Sequence, residues 1–297
     1  MKQKLTVVVL ALLLITSFAF AQVQDQIERA DELHEDEEYS EAIDLLEGTL
    51  SDARRGTERA EVLWRLSRAS VGYGDSLEDQ EASSDVLIEV FEQGEAWGQE
   101  AIEADSSIKE GYFWKASNIG RWGETRGILD SLFRAPDMRD LLEEAIEQDE
   151  EYADAYYVLG ILYRSVPGVI SFGNNDYAVS LGRLAVELHE DQRQAGQEEE
   201  YRYGYYIELA AHLQARNWNE RRRNGQQDRK RSRADRASGV LEESFTYEGF
   251  VDIPDMSDAE EAAEILDEVI SRLEGVSNRT DGEQRNLREA RELRESL

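Results

Sequence analysis

The chain has 297 residues, no cysteine, and 65 acidic against 33 basic residues, which gives a formal net charge of −32. The absence of cysteine excludes disulfides and zinc sites built on thiolates. The negative charge disfavours nucleic acid and anionic lipid as partners, because both carry charge of the same sign. A chain of this length can bury a core large enough to hold its fold by packing alone.

The N-terminal segment, residues 1–21, has the pattern of a secretory signal peptide. Lys2 and Lys4 precede an apolar run from Leu5 to Ile15, and the segment ends in small residues where signal peptidase reads the chain. This pattern predicts export with cleavage before Gln22, and the lack of a cysteine argues against a lipid anchor. The alternative is an uncleaved membrane anchor, although the run is short for a span of about 20 residues.

Residues 22–215 carry apolar side chains at helical spacing almost throughout, and no stretch alternates at a period of two. We therefore predict an all-α fold. Small residues recur where one helix of a pair would pack closely against the other, at Ala30, Ser67, Ala116, Gly160 and Ala210. This pattern resembles the tetratricopeptide repeat. Because one helix pair cannot bury its apolar face alone, the pairs are predicted to stack into a solenoid.

Three of the four repeats are longer than the tetratricopeptide unit. The distance from the first small residue to the closing one is 19 (30 to 49) in the first repeat, then 34 (67 to 101), 29 (116 to 145) and 25 (160 to 185). We predict that the extra residues form enlarged insertion loops between the two helices of a repeat. The third-repeat insertion at 123–136 and the fourth-repeat insertion at 165–176 mix turn residues such as glycine with apolar ones. The candidate contact residues in the insertions are Phe133, Arg134, Phe172, Asn174 and Asn175. Their apolar residues either cap the core or line a ligand cavity or contact surface.

The first helices of the second, third and fourth repeats each carry an aromatic ring followed by an arginine one or two turns later. In a tetratricopeptide-like array these helices line the concave side. The candidate groove residues are Trp64, Arg68, Phe113, Ser117, Arg121, Tyr157 and Arg164. Rings pack apolar groups and arginines bind carboxylates, so an organic acid or an acidic protein segment would suit such a groove. The alternative is that the rings belong to the core and the arginines form ordinary ion pairs.

A longer pattern narrows the resemblance. The run Tyr-Phe-Trp-Lys-Ala-Ser-Asn-Ile-Gly-Arg-Trp-Gly at 112–123, a long insertion, Leu-Leu-Glu-Glu-Ala-Ile at 141–146 and a Pro-Gly and Gly-Asn loop at 167–174 resemble the TatT family. These are the T-components of tetratricopeptide-associated TRAP transporters, and the likeness covers about residues 25–215.

The TatT resemblance implies a periplasmic accessory protein of a TRAP-type solute uptake system. It implies contact with the extracytoplasmic solute-binding protein, a small organic ligand as a further candidate, and a trimer as the candidate homo-oligomer. Some family members are lipoproteins, and this chain lacks the cysteine that would carry the lipid. The alternative function is an exported scaffold for envelope complexes, without a ligand.

The C-terminal part differs from the repeats. Residues 216–236 hold nine basic and three acidic residues within a strongly acidic chain. They either neutralise the acidic body, in cis or in a neighbouring subunit, or dock an acidic partner. Residues 216–275 are predicted to contain C-terminal helices, including Asp258–Leu273 with Ser257 as N-cap, and a loop with aromatic anchors at 242–253. Residues 276–297 are predicted to be a frayed or disordered tail.

No catalytic constellation is present in the sequence. The histidines His34, His189 and His212 lack metal-ligand spacing, and no nucleophile elbow, zinc-protease or phosphate-loop motif occurs. Carboxylate pairs are so frequent that none can be singled out as a glycosidase dyad. We therefore expect a binding protein that is not an enzyme, with no cofactor, no metal and no nucleic-acid partner.

Overall fold

The computed structural model describes residues 21–53, 56–169, 171–198 and 200–297. Within these residues the chain forms thirteen α-helices and no strand, which confirms the prediction of an all-α fold compatible with a helical solenoid. Residues 1–20, where a signal peptide is predicted, lie outside the described residues. No helix of the described part is long and apolar enough to span a membrane.

The chain divides into two compact units, with the boundary between Gln148 and Asp149. This boundary falls inside residues 22–215, and the helical array over that range stays a prediction. The first unit contains α1 (21–35), α2 (Tyr39–Thr49), α3 (Thr57–Asp79), α4 (Ser84–Ala104), α5 (Lys109–Arg126) and α6 (Ile128–Gln148).

Helices of the first unit pack against both the next helix and the next but one. Between α3 and α4, Ser67 Oγ donates to Gly94 O at 2.8 Å, and Arg59 reaches Glu100 at the opposite end, so the two helices are antiparallel. Between α3 and α5, Asn118 Nδ2 donates to Ser67 O at 2.9 Å. This is the packing that a tetratricopeptide-like helix pair needs.

The small residues of the repeat pattern are buried where helices approach each other. Ala30, Ser67, Ala116 and Ala210 are at most 1 % exposed. The first unit's core cluster includes Val23, Ile27, Leu46, Leu63, Leu66 and Trp97. The small side chains let neighbouring helices come close, and the larger apolar ones fill the space between them.

Two of the three predicted insertions are not loops. Helices α3 and α4 are joined by residues 80–83 alone, and α5 and α6 by Gly127 alone. The extra residues of these repeats lengthen the helices instead, so Phe133 and Arg134 lie inside α6. The prediction of a third-repeat loop at 123–136 is therefore wrong. Within the described residues, only the fourth insertion joins its helices by a longer non-helical segment, at 166–169 and 171–174 between α7 and α8.

The second unit begins with a helix trio of the same kind and continues into a C-terminal cap. Its elements are α7 (Ala153–Ser165), α8 (Asn175–Gln194), α9 (Tyr203–Arg216), α10 (Glu220–Ala234), α11 (Val240–Phe245), a 3-10 turn (Tyr247–Gly249), α12 (Asp258–Gly275) and α13 (Asp281–Glu295). Helices α12 and α13 complete the core that α9 presents.

The C-terminal residues are ordered helix. Ser257 caps α12 through a capping box with Glu260, as the sequence predicts. Thr280 and Glu283 form a second capping box that starts α13. Because Leu287 and Ala290 are 7 % and 0 % exposed within the core, the prediction of a frayed or disordered tail over 276–297 is wrong.

Candidate functional site

At the first predicted groove position, on α3, the arginines form ion pairs with a carboxylate of the protein itself. The Trp64 side chain is 9 % exposed, and the guanidinium of Arg65 lies 4.1 Å and that of Arg68 5.2 Å from the centre of its ring. Both arginines bind Asp31 of α1, at 2.9 Å from Arg65 Nε and 2.5 Å from Arg68 Nη2. Asp31 consequently has a lowered pKa: burial opposes the shift, and the two arginines outweigh it.

The second groove position, on α5, is also occupied by the protein's own carboxylates. Arg121 donates from Nε to Asp75 at 2.8 Å and from Nη2 to Glu78 at 2.6 Å, and it also binds Glu124. Burial would lower the pKa of Arg121, but these carboxylates raise it. On the same helix Phe113 is buried at 5 % exposure, and Ser117 Oγ donates to its carbonyl at 3.0 Å.

The third groove position belongs to the second unit. Tyr157 stacks on Tyr205 with ring centres 4.8 Å apart. Arg164 donates to Glu208 at 2.5 Å through Nη2 and to Nδ1 of His212 at 3.1 Å through Nε. The Arg164 contact requires an unprotonated Nδ1, and burial together with this arginine lowers the pKa of His212 to about 3.

All three groove arginines are therefore paired inside their own unit. This is the arrangement that the ion-pair alternative describes. Binding of a ligand or partner by the seven groove residues stays a prediction, and a ligand would have to displace carboxylates of the protein to reach the arginines. No group of histidine and carboxylate side chains in the described part of the chain could hold a metal ion.

An exposed apolar stripe on α6 was not predicted from the sequence. Leu129 and Phe133 are 82 % and 85 % exposed, and Pro136 is exposed as well. The spacing of four and three residues places the three side chains on one helix face. The signal was present in the predicted insertion, where apolar residues were noted but assigned to a loop. We call Leu129, Phe133 and Pro136 the α6 stripe.

Ion-pair and cation–π contacts hold the helix that carries the α6 stripe in place. Arg134, on the next face of the helix, forms a bidentate ion pair with Glu95 of α4. The distances are 2.8 Å from Nη1 to Oε2 and 2.6 Å from Nη2 to Oε1. The guanidiniums of Arg134 and Arg126 each lie 5.3 Å from the centre of the Trp122 ring. Arg134 therefore holds α6 against α4, which leaves the stripe facing solvent.

The fourth insertion lines a polar cleft. Asn174 caps α8, accepting from the backbone N–H groups of Asp176 and Tyr177, and Asn175 Nδ2 donates to Ala215 O at 2.8 Å. The Phe172 ring packs edge-on against Tyr163, with ring centres 5.4 Å apart. The cleft holds about 360 Å³, and Trp218 and Arg222 form its opposite wall.

The basic segment divides into a buried and an exposed set. Arg216, Arg223 and Lys230 are 7 %, 1 % and 7 % exposed. Together with Arg183 they pair with the buried carboxylates Glu248, Asp258 and Glu261 and with Asp176. Neutralisation in cis, one of the two alternatives, therefore accounts for the inner side of α10.

Trp218 was not singled out from the sequence, although the turn around it is distinctive. Asn217 adopts the left-handed conformation (φ 51°) and ends α9, and Asn219 caps α10 by accepting from Arg222 N at 2.9 Å. Cations surround the Trp218 ring, with Arg216, Arg222 and Lys230 at 4.6, 4.5 and 4.9 Å. An Asn-Trp-Asn sequence between two helices was the available signal.

Comparison with known proteins gives a different relationship from the one that the sequence pattern suggested. The family model described as Regulator of microtubule dynamics protein 1-3 matches residues 26–169. Regulator of microtubule dynamics protein 1 of Bos taurus is 28 % identical over 141 residues, covering 47 % of this chain and 42 % of the relative. The Mus musculus protein of that name is 29 % identical over 143 residues, covering 48 % and 44 %.

These relatives overturn the TatT interpretation. The resemblance to TatT proteins is wrong, and with it the predicted role as a TRAP transport accessory, the solute-binding protein as partner and the periplasmic location, because the matching proteins are regulators of microtubule dynamics. The alternative of an exported envelope scaffold is not supported either. The chain spans less than half the length of the curated relatives that it matches.

Proposed function

We propose that the first compact unit, which holds most of the matched segment 26–169, is a protein-binding module that acts in the regulation of microtubule dynamics, and that it works by contact and not by catalysis. The match of this segment to regulators of microtubule dynamics supports the biological context. The helix-pair architecture supports the mode of action, because stacked helix pairs offer extended surfaces for partners.

The observation that carries the proposal is the exposure of the α6 stripe within the matched segment. Large apolar side chains that are more than four-fifths exposed mark contact sites when they are grouped, whereas isolated ones need no explanation. Leu129, Phe133 and Pro136 lie on one helix face, and helix-in-groove recognition uses apolar anchors at this spacing. We assign the stripe as the surface that meets the partner.

Co-sedimentation of the full chain with assembled microtubules tests the proposal. The wild-type chain is expected to pellet with microtubules, and Leu129→Ser with Phe133→Ser is expected to weaken binding by about tenfold or more, as loss of buried anchors does. Because the stripe is apolar, raising the salt concentration should change the affinity little.

A matched control is Val169→Ser with Phe250→Ser, which removes one aliphatic and one aromatic side chain that are 97 % and 51 % exposed elsewhere. This variant is expected to bind as the wild type does. Failure of the wild-type chain to pellet, or equal loss in both variants, would refute the proposal. Circular dichroism of both variants checks that the helices remain.

A further inference from the structure

The outer side of α10 carries a row of arginines that form no ion pair with a carboxylate in the described part of the chain. Arg222, Arg229 and Arg233 are spaced by seven and four residues, which places them on one face of the helix, and Arg236 follows just beyond its end. All four are exposed, and none forms an ion pair within the described residues. We call these four residues the arginine row.

The acidic residues of α10 point elsewhere. Asp228, the nearest in sequence to Arg229, lies about a third of a turn away from the row at 3.6 residues per turn. On the inner face Arg223 and Lys230 are buried against Glu261 and Glu248. The helix therefore pairs its inner cations with carboxylates in cis. Among the described residues the outer row has only uncharged contacts, since Arg233 donates to the Tyr177 hydroxyl at 3.0 Å and Arg222 lies over the Trp218 ring.

Each end of the arginine row opens into a cleft with an aromatic wall. At the first end Arg222 and Trp218 line the cleft of about 360 Å³. At the other end Arg233 and Arg236 line one of about 230 Å³. Its aromatic wall is the stacked pair Tyr177 and Phe245, whose ring centres are 4.8 Å apart.

The carboxylates near these clefts are already engaged. Asp176, in the first cleft, binds Arg216 at 3.0 Å and Lys230 at 2.5 Å. Glu242, in the second, accepts from the backbone N–H of Ser238 at 2.9 Å and from its hydroxyl at 3.1 Å. The arginine row is therefore a cationic track with a cleft at each end, and each cleft has one aromatic wall.

We propose that the arginine row binds an extended acidic segment of a partner protein. The distance along the helix from Arg222 to Arg233 is about 16 Å at 1.5 Å per residue. An extended peptide at about 3.3 Å per residue covers that distance with roughly five residues, and about seven fill the clefts as well. Guanidinium groups bind carboxylates through paired hydrogen bonds, and the aromatic walls accept the apolar parts of the peptide.

A peptide fits the row better than a larger polyanion does. Nucleic acid or an anionic bilayer would bring many charges close to the rest of this chain, whose field repels them. A short segment meets only the row and its clefts. The four arginines lie outside residues 26–169, although Val166 and Gly168 line the first cleft, and the site shares no residue with the α6 stripe.

Fluorescence anisotropy with a fluorescein-labelled peptide of about seven glutamates tests the assignment on the full chain. The glutamate peptide is expected to bind, with an affinity that falls as salt is added, and a peptide of the same length made of glutamine is not. A short DNA duplex and phosphatidylserine vesicles serve as rival probes, and tighter binding of either would overturn the proposal.

Two double variants of equal charge change separate the row from general electrostatics. Arg222→Gln with Arg229→Gln, on the row, is expected to weaken glutamate-peptide binding by about tenfold, from two lost arginine–carboxylate contacts. Arg221→Gln with Arg231→Gln, on other faces of α10, is expected to change it less than about twofold. Equal loss in the two variants, or no binding by the wild-type chain, would overturn the proposal.

Discussion

Asn118 lies so close to Gly94 that a side chain at position 94 would have no room. A Cβ built on Gly94 falls 2.2 Å from Asn118 Oδ1 and 2.6 Å from Ser70 Cβ. The Asn118 amide also donates to Ser67 O at 2.9 Å, and Ser67 Oγ donates to Gly94 O at 2.8 Å. These contacts tie α3, α4 and α5 together at a buried point, so the glycine is required by packing.

Gly94→Ala is expected to destabilise the protein by about 1–3 kcal/mol, because the added methyl group overpacks a buried contact. Gly48→Ala is the matched control, since nothing lies within 4 Å of a Cβ at that helical position. It is expected to stabilise by about 0.5–1 kcal/mol through the lower backbone entropy of alanine. Urea denaturation followed by circular dichroism measures the unfolding free energy of both variants. If Gly94→Ala is as stable as the wild type or as Gly48→Ala, packing does not require the glycine.

Arg121→Ala should cost stability in the first unit and should cost more at low salt. Removing this arginine leaves Asp75, Glu78 and Glu124 facing one another without a cation. We expect a loss of about 1–2 kcal/mol, reduced by added salt, which screens the repulsion. Arg59→Ala, which breaks one partly exposed pair with Glu100 and a hydrogen bond to Leu50 O, is expected to change stability by less than about 1 kcal/mol. Thermal melts at two salt concentrations distinguish the two variants.

Two histidines, the buried His212 and the partly buried His34, are expected to make the protein less stable below neutral pH. Burial lowers the pKa of His212 to about 3 and, with Arg68, that of His34 to about 4, against 6.5 in the unfolded chain. As pH falls through 6.5 the unfolded state binds these protons and the folded state does not. Each histidine therefore removes stability at up to about 1.4 kcal/mol per pH unit.

His212→Gln isolates this contribution. The unfolding free energy of the variant is expected to fall less steeply between pH 6.5 and pH 5, because about one proton fewer is taken up on unfolding. The measurement is denaturant unfolding at several pH values, with ring resonances followed by NMR. A His212 ring that titrates near 6.5 in the folded protein would show that the histidine is not held neutral.

Glu248 is expected to add a second, more acidic transition. Its burial opposes ionisation, but Arg183, Arg216 and Lys230 outweigh burial and hold the pKa of Glu248 well below its usual 4.5. A carboxylate with a lowered pKa stabilises the fold above 4.5, and this stabilisation is lost as pH falls further. Glu248→Gln should lose about 3 kcal/mol or more at neutral pH, because it leaves buried cations unpaired. Unchanged stability of this variant at neutral pH would mean that the network contributes nothing net.

The all-α fold could be predicted because helical spacing of apolar residues is a local signal. The positions of close contact at Ser67, Ala116 and Gly160 could also be predicted, since a small residue inside an aromatic helix marks a packed face. The prediction that the extra residues form loops was wrong for the second and third repeats. Gly123 and Gly127 indicated a loop, yet α5 continues through Gly123, whose Cβ position lies 2.9 Å from Ser131 of α6.

The end of the chain was mispredicted for a related reason. Helix α13 is rich in charged residues, and its apolar anchors are few, with Leu287 and Ala290 one turn apart. A short apolar stripe of this kind is stabilised only by the core of α9 and α12 that receives it. That core is a tertiary feature, so the sequence of the segment alone indicates a frayed end.

The candidate surfaces could be predicted from the sequence only in part. The arginines of the basic segment could be counted, but their division into buried and free sets depends on how α10 meets Glu248 and Glu261. The family resemblance failed because helix-pair patterns are shared by unrelated functions. The residues that support the present proposals, Leu129 and Phe133, were visible as apolar residues but were assigned to a loop.

Growth and shortening of individual microtubules, followed by light microscopy with the full chain added, test the central claim most directly. The wild-type chain is expected to change these rates. Leu129→Ser with Phe133→Ser is expected to abolish the change, and Val169→Ser with Phe250→Ser is expected to retain it. Rates that stay the same with and without the wild-type chain would contradict the proposed function.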